Sequence, residues 1–161
     1  MDLNTLLGLL GEVPESERAR PILNHFPSLH TTVAELPGDV DTLTETLLSC
    51  RDYGFEARLA SSGEIATVYL MGAGNEGFGE FPYPLVEGLR FGARRDAVEA
   101  KFGRPHWSRS NNETPVVLNG AGEAIRYDLK SYALYFQFDK RNGQLQQVAA
   151  ESTIGLSAQH H

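Results

Sequence analysis

A single cysteine, Cys50, stands among 161 residues. One thiol makes no internal bridge, so the fold must hold without disulfides, as suits a reducing compartment. No apolar run approaches the roughly 18 residues a membrane span needs. Met1-Asp2-Leu3-Asn4 also lacks the basic start of a secretory signal, so a cytoplasmic protein with no membrane partner is expected. His25, His30 and His106 have no His, Cys or carboxylate at a ligand spacing, which leaves no expected metal. A Ser within a nucleophile elbow and a Cys with a partnered His are missing too, so no catalytic residue, no cofactor and no enzyme are expected.

Positive charge is scarce, with Lys and Arg numbering 14 against 21 Asp and Glu, a net charge of −7. The deficit is uneven. Residues 1–80 carry thirteen carboxylates against four Arg, whereas residues 81–161 carry eight against ten Lys or Arg. An acidic first half speeds the capture of a basic partner and repels nucleic acid, although a net charge of this size also serves plain solubility.

Leu3, Leu6, Leu7 and Leu10 fall on one stripe of a helix capped by Asp2 or Asn4 and ended by Gly11 and Pro14. Residues 15–26 read as a second short helix that Pro21 breaks or restarts. Thr42 to Leu48 fits strand and helix equally. Phe55 to Leu59 alternates as a half-buried strand, Ser61 to Glu64 turns, and Ile65 to Leu70 pairs back. Gly72 to Pro84, with four Gly and two Pro, reads as a linker. Arg94 to Phe102 makes a short helix closed by Gly103 and Pro105. Residues 108–122 read as a mobile loop, and Ala124–Asp128, Tyr132–Asp139 and Leu145–Ala150 read as strands, the last two joined by an Asn142-Gly143 turn.

The halves echo one another. Tyr53 to Leu59 with Gly63 to Val68 matches Tyr132 to Phe138 with Gly143 to Val148. The expected fold class is therefore α+β, with two tandem helix-plus-antiparallel-meander repeats. The corresponding domains are a divergent acidic repeat over 1–71, the Gly/Pro linker over 72–84, a second repeat over 85–155 and a disordered tail over 156–161.

Gly72-Ala73-Gly74-Asn75-Glu76-Gly77 spells the dinucleotide fingerprint after a strand, but Phe78 to Pro84 cannot start the helix that would hold a pyrophosphate. Asp39-Val40-Asp41 is a fragment of a calcium loop without its Gly or distal Glu. Arg90, Arg94, Arg95, Lys101, Arg104 and Arg109 could touch phosphate, yet their alternation with Asp96 and Glu99 better describes a solvated helix face.

Leu89 to Pro105, followed by Ile125-Arg126-Tyr127-Asp128 and the Tyr132 to Val148 hairpin, resembles the SmpA/OmlA or BamE-like module, a helix ending in Leu-Gly-x-Pro and then strands with a Gly turn. The tandem arrangement resembles small bacterial immunity proteins of interbacterial toxins. Ala93 stands where that family usually has a Ser or Thr cap, and no lipid-bearing cysteine lies near Met1, so a membrane-assembly role does not carry over. The resemblance implies a non-enzymatic cytosolic immunity protein that binds a cognate toxin, basic in charge, and blocks its active site or assembly. Asp39, Asp41, Glu45, Glu76 and Glu80 would steer association, with Phe78, Phe81 or Tyr83 as apolar anchors. The alternative is an envelope or assembly-type binding module of BamE-like fold. An unrecognised enzyme would be sought first at His106, Arg126, Tyr127 and Asp128.

Overall fold

The structure is a computed structural model that describes residues 1–36, 43–86, 88–109 and 121–153. Asp39 and Asp41, the loop core around Val116 and the tail over 156–161 lie outside them. Asp2 caps helix α1 (Leu3–Leu7), its Oδ1 accepting the Thr5 N–H at 2.9 Å. The helix ends at Leu7 rather than at Gly11, and a tight turn in which Leu9 N–H donates to Leu6 O at 2.9 Å buries Leu9 with Leu3 and Leu6, while Leu7 and Leu10 of the expected stripe are half-buried. Helix α2 (Ala19–Leu23) is shorter than the segment expected over 15–26. Pro21 fits only in a first turn, where its missing N–H is no loss, and Ser16 Oγ accepts the Ala19 N–H just ahead of it.

Strands β1 (His30–Leu36), β2 (Leu43–Cys50), β3 (Phe55–Leu59) and β4 (Ile65–Met71) follow, so the ambiguous stretch before Leu48 is strand. Helix α3 (Arg95–Phe102) then precedes β5 (Trp107–Arg109), β6 (Ala121–Asp128), β7 (Tyr132–Asp139) and β8 (Leu145–Ser152). All eight strands form one sheet in the order β1-β2-β3-β4-β8-β7-β6-β5, every neighbour antiparallel. Its middle is the β4–β8 pair, where Val68 faces Ala150 and Leu70 faces Val148.

Strand alternation sends Phe55, Ala57, Val68, Leu70, Leu134, Phe136 and Phe138 to one side, which the helices cover. Phe26, just past α2, stacks on Phe55 with ring centres 4.1 Å apart. Phe102 of α3 sits 5.0 Å from Phe136, and Val98 is fully buried. A single apolar cluster thus takes side chains from both ends of the chain, from Leu3 to Ala150.

This overturns the expectation of two tandem helix-plus-meander repeats. Among the described residues the protein is mostly one eight-stranded antiparallel sheet carrying three α-helices of only 5, 5 and 8 residues. Helices so short cannot roof two separate meanders, whereas pairing β4 with β8 satisfies both backbones and pools the Leu and Phe side chains in one interior. The two hairpins with matching sequence, β3–β4 and β7–β8, lie side by side in that sheet. Within residues 72–84, Phe78 and Phe81 are 4% and 3% exposed.

Candidate functional site

Beyond Met71 the chain is pinned rather than loose. Gly72 N–H donates to Gln146 O at 2.7 Å, and the Asn75 side-chain amide donates to the same carbonyl at 3.2 Å. In this turn Gly74 and Gly77 take φ of +78° and +81°. Glu76 takes +52°, making it the one non-glycine in the left-handed region among the described residues. Arg51 holds this turn. Its Nη2 donates to Glu76 O at 2.8 Å, and its guanidinium lies 4.5 Å over the centre of the Phe78 ring. No helix follows, so the glycine fingerprint has no pyrophosphate seat.

A groove of about 430 Å3 opens between this turn, the Phe91-Gly92 segment and the β7–β8 turn. Gly72, Gly74 and Gly92 bring bare backbone to its lining, and Phe91 contributes an aromatic side. Its charges are Glu76, Glu80, Asp139 and Arg141. Asp139 is engaged: its Oδ1 accepts the Arg141 N–H at 2.7 Å, and its Oδ2 accepts the Arg141 guanidinium at 3.4 Å. That backbone bond is the main cause holding its carboxyl below the usual range. The carboxylates of Glu76 and Glu80 have no hydrogen bond or ion pair among the described residues.

The sheet face away from the helices carries a second feature. Trp107 faces Arg126 across β5–β6, and Arg126 faces Tyr135 across β6–β7. The guanidinium lies 5.6 Å from the indole centre and 6.0 Å from the phenol ring, and its Nε is 3.1 Å from Asp128 Oδ1. Trp107 remains 39% exposed. The same transverse row continues through Ala149 and Tyr69 to Glu56. Glu56 is half-buried, and its carboxyl is raised above the ordinary glutamate range, first by burial and then by Glu76, with Arg51 opposing and Glu45 adding.

The residues singled out from the sequence therefore divide. Glu76 and Glu80 meet in the groove. Glu45 lies on β2, its Oε1 3.5 Å from Arg58 Nε in a network that includes Glu151 and Thr67. Phe78 and Phe81 are not surface anchors: one is covered by Arg51, and the other belongs to the core beside Phe26. Tyr83 is half-buried against Phe81, Tyr53 and His25. His106, Arg126, Tyr127 and Asp128 are neighbours, His106 edge-on to Tyr127 at 6.4 Å and Arg126 beside Asp128, but their polar groups do not point into one pocket. Tyr127 turns to the core and donates to Gly103 O at 2.8 Å, while His106 Nδ1 accepts the Asp128 N–H at 3.0 Å. No group of three or more metal-ligating side chains occurs among the described residues. No described helix is long and apolar enough to cross a membrane. Phe91, Asp139 and Tyr135 were not singled out from the sequence, and Arg126 was named only as a place to look for an enzyme; only the alternation of β7, which puts Tyr135 opposite in sense to Phe136, hinted at the ladder of Arg126 with Trp107 and Tyr135.

No protein-family model matches this sequence, and no curated protein is similar to it. Among solved structures, the chain is similar to a DUF4309 family protein (YjgB) from Bacillus subtilis, at 12% identity and a TM-score of 0.52. The match covers 93% of this chain and 91% of that one. At such identity the likeness is one of fold alone.

Proposed function

We propose that this protein works by docking, without turnover, onto a basic protein, and that the partner is a cognate toxin neutralised in the cytoplasm. The observation that carries the reading is the placement of Glu45, Glu56 and Glu76 at one end of the open sheet face, where burial first and the neighbouring carboxylates second raise the carboxyl of Glu56. Arg58 pairs with Glu45 and Arg51 offsets part of the charge at Glu56, while the exposed Glu76 carboxylate has no ion pair among the described residues, so the field there is net negative. A cation brought by a partner offsets that charge, and the field speeds its approach. At the other end of the face, Trp107, Arg126 and Tyr135 supply the residue types that dominate binding energy at protein interfaces. They take the anchoring role first given to Phe78 and Phe81.

The test is co-purification with the product of the adjacent gene at low and high salt, together with rescue of cells that express that product. Capture that weakens as salt rises, with rescue, is the expected result. Salt-insensitive capture removes the electrostatic argument, and neither capture nor rescue overturns the reading.

A further inference from the structure

We infer that the groove between the Gly72–Glu80 turn and the β7–β8 turn is a receptor for a single basic side chain, a lysine or arginine projecting from the partner. The inference rests on the docking function proposed above and gives it a location. The groove holds about 430 Å3, ample for one long side chain. Its lining at Gly72, Gly74 and Gly92 is backbone; a Cβ built at Gly74 or Gly92 meets nothing within 4 Å, whereas one at Gly72 would lie 3.1 Å from the Phe91 ring, so the groove is open at its rim and closed at Gly72. Phe91 offers a ring beside which the aliphatic stem of such a residue can lie and over which a cation can sit.

The sign of the charge selects the ligand. Three carboxylates line the space, and the one cation lining it, Arg141, is folded onto Asp139 within its own turn. Glu76 and Glu80 are left without partners among the described residues. Arg51 clamps the Glu76 carbonyl and so holds the backbone of the turn, while the Glu76 side chain itself is exposed. An acidic side chain meets three carboxylates there against one cation that is already paired.

The experiment uses the full chain and does not need the partner. Amide resonances are followed by NMR during titration with Nα-acetyl-lysine amide, Nα-acetyl-arginine amide and, as the control, Nα-acetyl-glutamate amide. The basic compounds are expected to shift Gly72, Gly74, Glu76 and Gly92, and the glutamate compound is not. Glu76→Gln with Glu80→Gln should weaken binding about tenfold, the effect of removing two partly exposed charges. Ala73→Trp, which fills the groove without touching a charge, should abolish the shifts. Shifts scattered over the acidic face, or shifts untouched by both variants, overturn the inference. The docking function fails separately: toxin capture that survives groove filling sinks only the groove, whereas loss of capture by the parent protein sinks the function even if the basic compounds bind.

Discussion

Glu56 concentrates the electrostatics of this protein in one side chain. It sits on β3 opposite Ser49 and Tyr69, half-buried, with Glu76 and Glu45 close enough to oppose its ionisation and only Arg51 favouring it. Because its carboxyl is raised in the folded state, that state binds the proton more tightly than the unfolded chain. The stability this contributes is complete below the ordinary glutamate range and is lost as pH rises through the raised value. At neutral pH the folded protein therefore carries an unfavourable charge there. Glu56→Gln removes it, so the melting temperature of the variant should exceed that of the parent at about pH 7 and approach it at about pH 4. Thermal melts at both values check this, and a difference that does not change with pH would mean that Arg51 fully compensates the charge. A carboxylate kept at a cost to stability is consistent with the docking role proposed for this face.

At the scale of elements, the fold depends on a backbone-to-backbone contact between the turn after β2 and the segment after β4. Gly54, at φ +60°, has no room for a side chain: a Cβ there would lie 2.5 Å from Gly79 O and 2.6 Å from Phe81 N. Gly79 is equally tight against Asp52 O, and its N–H donates to Arg51 O at 2.8 Å. This contact places Arg51 under Glu76 and buries Phe81, so it sets the shape of the groove as well as the stability of the sheet. Gly54→Ala should cost more than about 2 kcal/mol, the sum of a left-handed conformation and a backbone clash. Chemical denaturation measures this directly. A loss below about 1 kcal/mol would show that the segment can lift off without penalty.

At the scale of the whole molecule, one core is shared by two meanders that meet at β4 and β8. Leu3 and Leu6 of the first helix belong to the same apolar cluster as Phe136, Phe138 and Val148 of the last hairpin. Neither half can bury its apolar side alone, and cutting between them would expose β4 and β8 as open edges. Unfolding should therefore be a single cooperative transition, with Trp107 fluorescence and far-ultraviolet circular dichroism giving coincident curves. Residues 1–84 expressed alone should not fold. Two resolved transitions, or a folded first half, would restore separate domains.

Most local structure was legible because it rests on short-range chemistry. The alternation of Phe55 to Leu59 and of Tyr132 to Phe138 named the buried side of each strand, Asp2 marked a helix start, and Asn142-Gly143 marked a turn whose Gly143 takes φ +72°. The lean positive charge of the first half was equally plain. The partnership of β4 with β8 was not, since strand pairing across some eighty residues leaves no periodicity in either strand. Phe78 and Phe81 read as exposed anchors amid glycines and prolines, and only the folding of that segment onto Arg51 and Phe26 buried them. Trp107, Arg126 and Tyr135 came together the same way, through cross-strand register. Sequence fixes what each residue can do within its own few turns of chain. Contacts between distant segments are chosen by the one arrangement that buries all the apolar faces at once, and the groove and the open face are products of that choice.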